Sequence, residues 1–572
     1  MHKRIKKIIM RWEAKPIPSD EVIKLLQNDI GVSRNTAILL AQRGIESYDS
    51  AKSFFRPEIK HLHNPFLMKD MKFAVDRINQ AINNHEKILI YGDYDVDGVT
   101  STALLITFLR QKTNDVFPYI PDREAEGYGI SINGINEALK KGISLIISID
   151  CGIKAIKEIK YAKSNNIDFI ICDHHLPESE IPNAIAVLDP KRHDCEYPFK
   201  ELCGCGIGFK LIQALCMEWK IDIQQLIIYL DLVSLASVAD QVPLYDENRV
   251  MTSLGLKQIN QNPRPGIKAL LSDFRGEKVS SSTLVFKVSP KVNAAGRMRH
   301  ASLALKLLLC ENFQDTIKLS EEITSTNFIR RKEDKQTTEE ALIQIKDKEE
   351  ESFSSTLVYH DNWHPGIIGI VASRLIEKYY RPTIVLTKRG EYYVGSARSI
   401  KGFDIYKALK QCSNLLEQFG GHKYAAGLKL HKSKLELFRN EFEKFSNENI
   451  SEKYKTKVCT YDLEISLSDL NLKFLKIIKQ MGPFGTNNLK PIFYTRDCIS
   501  TSSTRCVGNE NKHLQLYIKS KHQIYKGIAF GKGDVVNKIK ESKGFDILYS
   551  LENNTWNGNN ELQLFIIDLK LK

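Results

Sequence analysis

Between residues 88 and 188, short apolar runs alternate with longer amphipathic stretches in a regular rhythm. The runs at 88–91 (ILIY), 145–149 (LIISI), 169–172 (FIIC) and 184–188 (AIAVL) are too short for helices. Segments 99–109 and 153–164 between them carry helical spacing. Apolar strands separated by helices predict βαβ units and a parallel sheet. The most apolar stretch, 226–239, is predicted to be a helix and leads to Asp240. Residues 301–352 contain neither Gly nor Pro and are rich in Leu, Glu, Lys and Thr, which predicts one or two long helices bridging two lobes. A second α/β pattern follows, with strands at 356–359, 383–386 and 392–394 and a helix at 367–379. Beyond about residue 446, short alternating strands such as 514–518 and 562–571 predict a small β-barrel. The first sixty residues are mixed in character. The implied boundaries are 1–60, 61–245, 246–352, 353–446 and 447–572.

Composition changes this picture in three places. No run of about 18 apolar residues is present, so no membrane span is expected. The basic start has only Ile8, Ile9 and Met10 as an apolar run, too short for a secretory signal, so the expected compartment is the cytoplasm. The eleven cysteines lack framework spacing, and Cys203-Gly204-Cys205 is the only close pair; they read as reduced structural thiols. The net charge is +13, and residues 451–572 hold 19 basic against 12 acidic residues, or +7. A basic tail beside an acidic core suits a polyanionic partner.

The acidic core lies where the predicted strands end. The first runs into Gly92-Asp93-Tyr94-Asp95-Val96-Asp97-Gly98, the second ends on Asp150, and the third on Asp173-His174-His175. In open parallel sheets, ligands gather beyond the carboxyl ends of the strands. A single aspartate there is more often a helix cap or turn residue, and Asp189-Pro190 is read that way. Four clusters, Asp240 included, are a different matter. So many carboxylates converge only around cations, because like charges at that density drive protonation. Oxygen ligands with an imidazole suit two divalent ions, Mn²⁺ or Mg²⁺. Such a pair activates water and stabilises both oxygens of an in-line displacement at phosphorus, which points to phosphoester hydrolysis.

These segments resemble the DHH phosphoesterase superfamily: GDYDVDG at 92–98, SIDCG around Asp150, DHH at 173–175, and Asp240 in ASVADQVPL. The resemblance implies that Asp95 binds one metal and Asp97 the other, that Asp150 bridges them, and that His174 and Asp240 complete the second ion. Asp93 becomes a further ligand or supporting partner, Asp173 orients His174, and His175 faces the substrate. A position usually filled by His in related pyrophosphatases is Tyr91 here. Within the superfamily the chain is most similar to the RecJ family, through PDREAEGYG, NAAGRMRHASLAL, HDNWHPGIIGIVASRL, GSARSIKGFDI, GGHKYAAGL, GPFGTNN and TWNGNNELQL. The implied fold is α/β: a parallel-sheet DHH domain and a smaller α/β DHH-associated domain joined by a long helix, plus an OB-fold-like β-barrel. The implied activity is 5′→3′ exonuclease action on single-stranded DNA, by a monomer working with a helicase and a single-strand-binding protein.

Arg123, Arg297, Arg374 and Arg398 are donors suited to phosphate oxygens. Gly395, Gly420 and Gly421 allow close backbone approach to an anion, with Ser396 and His422 as further donors. In the family picture, this second lobe captures the 5′ end. In the barrel, Tyr517, Tyr525, Phe530, Trp556 and Phe565 stand among basic residues, as stacking platforms for bases or as core. Three rival readings differ in what they need. A haloacid-dehalogenase phosphatase has no use for DHH or Asp150; an oligoribonuclease or dinucleotide phosphodiesterase typically lacks the barrel; an inactive repair scaffold would have shed its acidic residues.

Overall fold

The structure, a computed structural model, describes residues 10–348, 350–520, 523–554 and 561–572. The chain divides into two compact units. Residues 325–460, with residues 10–13, form one; the described residues of 14–324 and 461–572 form the other. No helix among the described residues is long and apolar enough to cross a membrane.

The larger unit contains a five-stranded, all-parallel sheet. Its order is Val116–Tyr119, Ile88–Tyr91, Leu145–Ile149, Asp168–Cys172, Ala186–Leu188. The apolar blocks read from sequence are the last four of these. Val116–Tyr119 escaped the pattern because it is an edge strand with a proline and only one buried residue. Ile88–Tyr91 is buried throughout, as a strand covered on both faces must be. The chain reverses its order of strands beside Ile88–Tyr91, so the topological switch point falls where that strand and Leu145–Ile149 end.

The first sixty residues have a definite role. Helices Asp20–Ile30 and Arg34–Ala41 place Ile23, Leu26, Leu39 and Leu40 in one core with Phe493, Leu514, Leu516, Tyr549 and Leu564 of the C-terminal sheet. That sheet has seven strands and curls so that Phe493–Ser500 pairs with both Phe545–Asn554 and His513–Lys519. The smaller unit carries a five-stranded sheet in the order Gln418–His422, Ala425–His431, Tyr392–Arg398, Thr383–Arg389, Thr356–His360. The Gly- and Pro-free stretch resolves into Ser302–Leu309 and a 35-residue helix, Phe313–Asp347, which passes from one unit into the other.

Candidate metal centre

The first strand ends at a turn that only glycine fits, since a Cβ on Gly92 would lie 2.0 Å from Thr102 Oγ1. Asp95 then caps helix Val96–Leu109, its Oδ1 accepting from the amides of Asp97 (2.8 Å) and Gly98 (3.2 Å). The cap reading and the ligand reading are therefore compatible, because capping engages one oxygen. Asp97 sits on the first turn and is buried. Its carboxylate lies at the start of helix Gly204–Glu218, accepting from Gly204 N (2.6 Å) and Cys205 N (2.8 Å). Those amides fix the carboxylate's orientation at a helix N-terminus. The Cys-Gly-Cys triplet thus serves the site through its backbone, while its thiols are buried.

Asp150 adopts a left-handed conformation (φ 63°), and a Cβ on Gly204 would approach its Cβ to 2.7 Å. His174 Nε2 lies 3.1 Å from Asp150 Oδ1, 3.7 Å from Asp240 Oδ2 and 3.8 Å from Asp97 Oδ2. Potential ligand atoms gather in three overlapping groups: Asp93, Asp95 and Asp150; Asp97, His174 and Asp240; and Asp150, His174 and His175. Asp150 belongs to two of them and stands between the acidic pair 93/95 and the 97/174/240 set.

The electrostatics match a cation site. Burial, reinforced by neighbouring carboxylates, pushes Asp93 and Asp150 well above the ordinary aspartate range and raises Asp97. Asp240 is pushed up to about 8 by burial and by Asp97 and Asp95. Burial lowers His174 to about 4, so its imidazole is neutral at pH 7 with a lone pair to offer. Asp93 Oδ1 and His174 Nδ1 are buried with no hydrogen-bond partner among the described residues. Carboxylates crowded together beside a neutral imidazole are a donor set that divalent cations would stabilise.

One expected role changes. Asp173 was expected to orient His174, but its Oδ1 accepts from His175 Nδ1 (2.7 Å) and from the His174 and His175 amides, while Oδ2 accepts from Ile153 N. The His174 ring turns Nε2 to the acids, and its Nδ1 has no hydrogen-bond partner among the described residues. Despite its burial, Asp173 is held at about 2 by the His175 ring, and His175 is raised in turn because that pairing outweighs its own burial. Tyr91 turns to a neighbouring loop rather than to the acids, its hydroxyl donating to Gly129 O (3.1 Å). Tyr128, which sequence reasoning passed over, has its hydroxyl 3.3 Å from Asp150 O and 3.2 Å from His175. Its only signal in the sequence is its place in PDREAEGYG.

Arg123 and Arg297 both act on Tyr94, the first lying 5.0 Å from its ring centroid. In the smaller unit, Ser396, Gly427 and Gly420 pair across three strands, as do Arg398, Ala425 and His422. Residues paired across a sheet share a face, so Ser396, Arg398, Gly420 and His422 lie on one side. Arg398 donates to Ser396 Oγ (3.0 Å), and a Cβ on Gly369, in the first turn of helix Ile368–Tyr379, would come within 2.9 Å of both side chains. The 418–428 segment is a hairpin, in which a Cβ on Gly421 (φ 140°) would meet Ala425 O. Gly395 points to the opposite face, where a Cβ would strike Leu386 and Leu428. Arg374 is anchored to the buried Asp334 of the long helix (2.7 Å). In the barrel, Tyr525 is core, Phe530 and Phe565 are exposed and Tyr517 is half-buried. Trp556, with most of TWNGNNELQL, lies outside the described residues.

A parallel sheet bringing these carboxylates and a DHH triplet to its switch point defines a DHH phosphoesterase. Residues 87–237 match the DHH family N-terminal domain, 352–448 the DHHA1 domain and 461–568 the RecJ OB domain. Single-stranded-DNA-specific exonuclease RecJ of Bacillus subtilis (strain 168) is 36% identical over 98% of this chain and 70% of that protein. The Escherichia coli (strain K12) protein of the same name is 32% identical over 92% of this chain and 94% of its own. RecJ from Thermus thermophilus in complex with Mn²⁺ shares the fold, with a TM-score of 0.85 at 24% identity over 98% of this chain and 79% of that one. The chain belongs to the RecJ family.

Proposed function

We propose that this chain is a metal-dependent exonuclease that hydrolyses single-stranded DNA from its 5′ end to 5′-mononucleotides. The carrying observation is Asp150, held in a left-handed backbone between two acidic groups and 3.1 Å from a neutral His174. Asp97, His174, Asp240 and Asp150 would hold one divalent ion, and Asp93, Asp95 and Asp150 the other. RecJ structures with Mn²⁺ and with Mg²⁺ support this choice of ions. When bound, such a pair supplies a nucleophile from water at neutral pH and charge stabilisation at phosphorus.

The chain's own groups do the rest. Asp173 fixes the ring of His175, whose exposed side offers a donor to substrate oxygens. Arg123 and Arg297, next to Tyr94, supply planar donors for backbone phosphates. The face carrying Ser396, Arg398, Gly420 and His422, beside the start of helix Ile368–Tyr379, is suited to a terminal 5′-phosphate, because helix N-termini and guanidinium groups both bind anions. Gly421 shapes that hairpin, and Arg374 ties helix Ile368–Tyr379 to Asp334 of the long helix. We assign the protein to the cytoplasm, acting as a monomer beside a helicase and a single-strand-binding protein.

End-labelled single-stranded DNA, with duplex and matching RNA controls, tests this reading in Mn²⁺ and in EDTA. Metal-dependent release of 5′-mononucleotides from the single strand alone is the expected result. Preference for short RNA would reassign the enzyme as an oligoribonuclease, and no cleavage by folded, metal-loaded protein would make it a scaffold.

A further inference from the structure

Two segments singled out in the sequence, ASVADQVPL and GPFGTNN, meet in the structure. The first ends helix Leu230–Ala239 with Asp240 and then turns through Gln241, which is left-handed at φ 58°. Asp240 is the exposed member of its group, whereas Asp97 and His174 are buried. Packing therefore does little to fix its carboxylate, and its place depends on where the chain goes next. Val242 N donates to Ser237 O (3.2 Å), and Pro243 O accepts from Asn248 Nδ2 (3.0 Å). Leu244, buried in the core of the parallel-sheet domain, then donates its amide to Thr486 O of the second segment (2.8 Å).

The second segment is built to hold that carbonyl still. Gly485 and Asn488 exchange backbone hydrogen bonds, each 3.1 Å, closing the turn that carries Thr486. Asn488 is 3% exposed and engages both ends of its amide. Its Nδ2 donates to Met481 O (2.9 Å) and Pro483 O (2.8 Å), and its Oδ1 accepts from Arg43 Nε (3.0 Å). Arg43 also reaches Leu489 O (2.8 Å), and the Ser281 hydroxyl donates to Phe484 O (2.6 Å). Gly485 lies against Leu244 itself: a Cβ there would stand 2.6 Å from Leu244 Cδ1 and 3.2 Å from Cγ. Polar networks satisfied to this degree rigidify one arrangement. This one lies outside the strands of the C-terminal sheet, so it is not part of that sheet's own ladder.

We propose that the 482–488 turn is a positioning element for Asp240, with Asn488 as the residue that fixes it. The C-terminal domain then completes the metal centre as well as any path for DNA. The inference rests on the metal-dependent reading above. Thr486 O holds Leu244, and the step back to Asp240 passes through a proline and a left-handed residue, which leaves few conformations free.

Mn²⁺ binding to the full chain, measured by calorimetry, tests this without requiring hydrolysis. Asn488→Ala should lower affinity at one of two sites roughly tenfold, the scale for residues that orient metal ligands, and leave the other unchanged. Asp240→Asn should weaken that same site, and Asn488→Ala placed on top of it should add no further loss, because residues acting through one another are not additive. Gly485→Ala keeps the hydrogen bonds of the turn but displaces Leu244, and should weaken the site in the same direction. Leu551→Ala, a core change elsewhere in the C-terminal sheet, should lower the melting temperature yet retain wild-type Mn²⁺ affinity. Wild-type affinity in folded Asn488→Ala, or in Gly485→Ala should Asn488→Ala fail to fold, would overturn the proposal. So would additive losses in the double variant, or an equal loss in Leu551→Ala, which would make the effect one of stability alone. Failure of the exonuclease reading shows separately, as a wild-type protein that binds Mn²⁺ and cleaves no DNA.

Discussion

Asp97 shows how a single side chain reconciles folding with chemistry. Two backbone amides at a helix start hold its carboxylate, so it is oriented before any cation arrives. Asp95 is likewise half occupied by capping. Asp150 has neither support; its geometry comes from a left-handed backbone and from the bare Cα of Gly204. Asp150→Asn should abolish hydrolysis while leaving single-stranded DNA affinity within a few-fold, measured by end-label release and by anisotropy in Ca²⁺. Gly204→Ala should be nearly as damaging, because the new methyl meets Asp150 Cβ at 2.7 Å and Oδ1 at 3.0 Å. We expect Mn²⁺ affinity to fall by about tenfold or more, the range seen when residues that orient metal ligands are altered, in a protein whose far-ultraviolet dichroism is unchanged. The aspartates were legible in sequence by type and spacing. Gly204 and Tyr128 were not, since a missing methyl and a hydroxyl arriving from another loop leave no periodic trace.

At the level of elements, helix Asp246–Gln261 bonds to segments far away in the chain, at Phe54 and at Met481 and Gly482. Its Arg249 guanidinium donates to the carbonyls of Phe54, Met481 and Gly482 and stacks on Phe54 at 3.5 Å. With no acidic partner among the described residues, it is pushed down to about 9 by burial. Arg249→Ala removes the guanidinium donor from the Phe54 and Gly482 carbonyls, while Met481 O keeps Asn488 Nδ2, so stability should fall by about 3 kcal/mol, read by urea denaturation. A loss under about 1 kcal/mol would show that water replaces the guanidinium. The same helix carries Glu247, whose carboxylate accepts from Lys210 Nζ (2.8 Å) and Tyr197 OH (2.6 Å) in full burial. Glu247→Ala strands the lysine and should cost about 3–5 kcal/mol. Strands were readable from their apolar blocks. The Val116–Tyr119 edge and the Gln418–His422 hairpin were not, because edge strands keep half their surface polar or glycine-rich.

For the whole molecule, the basic C-terminal sheet and the N-terminal helices share a core, so truncation near residue 451 would unmask Ile23, Leu26 and Leu39 as well as remove charge. Point changes separate the contributions. His513, Phe530 and Phe565 form a ring cluster on the outer face, with centroids 4.9 and 5.7 Å apart. Phe530→Ala with Phe565→Ala should weaken single-stranded DNA binding without altering its salt dependence. Lys519→Glu, on the same strand as His513, should instead flatten the slope of log K against log salt by about 0.7 or more if it meets a phosphate. Unchanged affinity in both proteins would remove this face from the DNA path. Saturating Mn²⁺ should raise thermal stability, by about 2.7 kcal/mol at a hundredfold excess over Kd, and EDTA should reverse the gain.

Sequence alone determined which residues could bind metal and which strands would carry them. Carboxylates following apolar runs are a one-dimensional pattern, and a parallel sheet converts that pattern into proximity at its carboxyl edge. Only the tertiary structure decided what holds each group. The Gly204 and Cys205 amides reach Asp97 from more than a hundred residues away, Asp173 holds the ring of His175 rather than that of His174, and Tyr91 supports a loop rather than a metal. Those assignments depend on side-chain direction and on atoms brought together by packing, which local spacing does not encode.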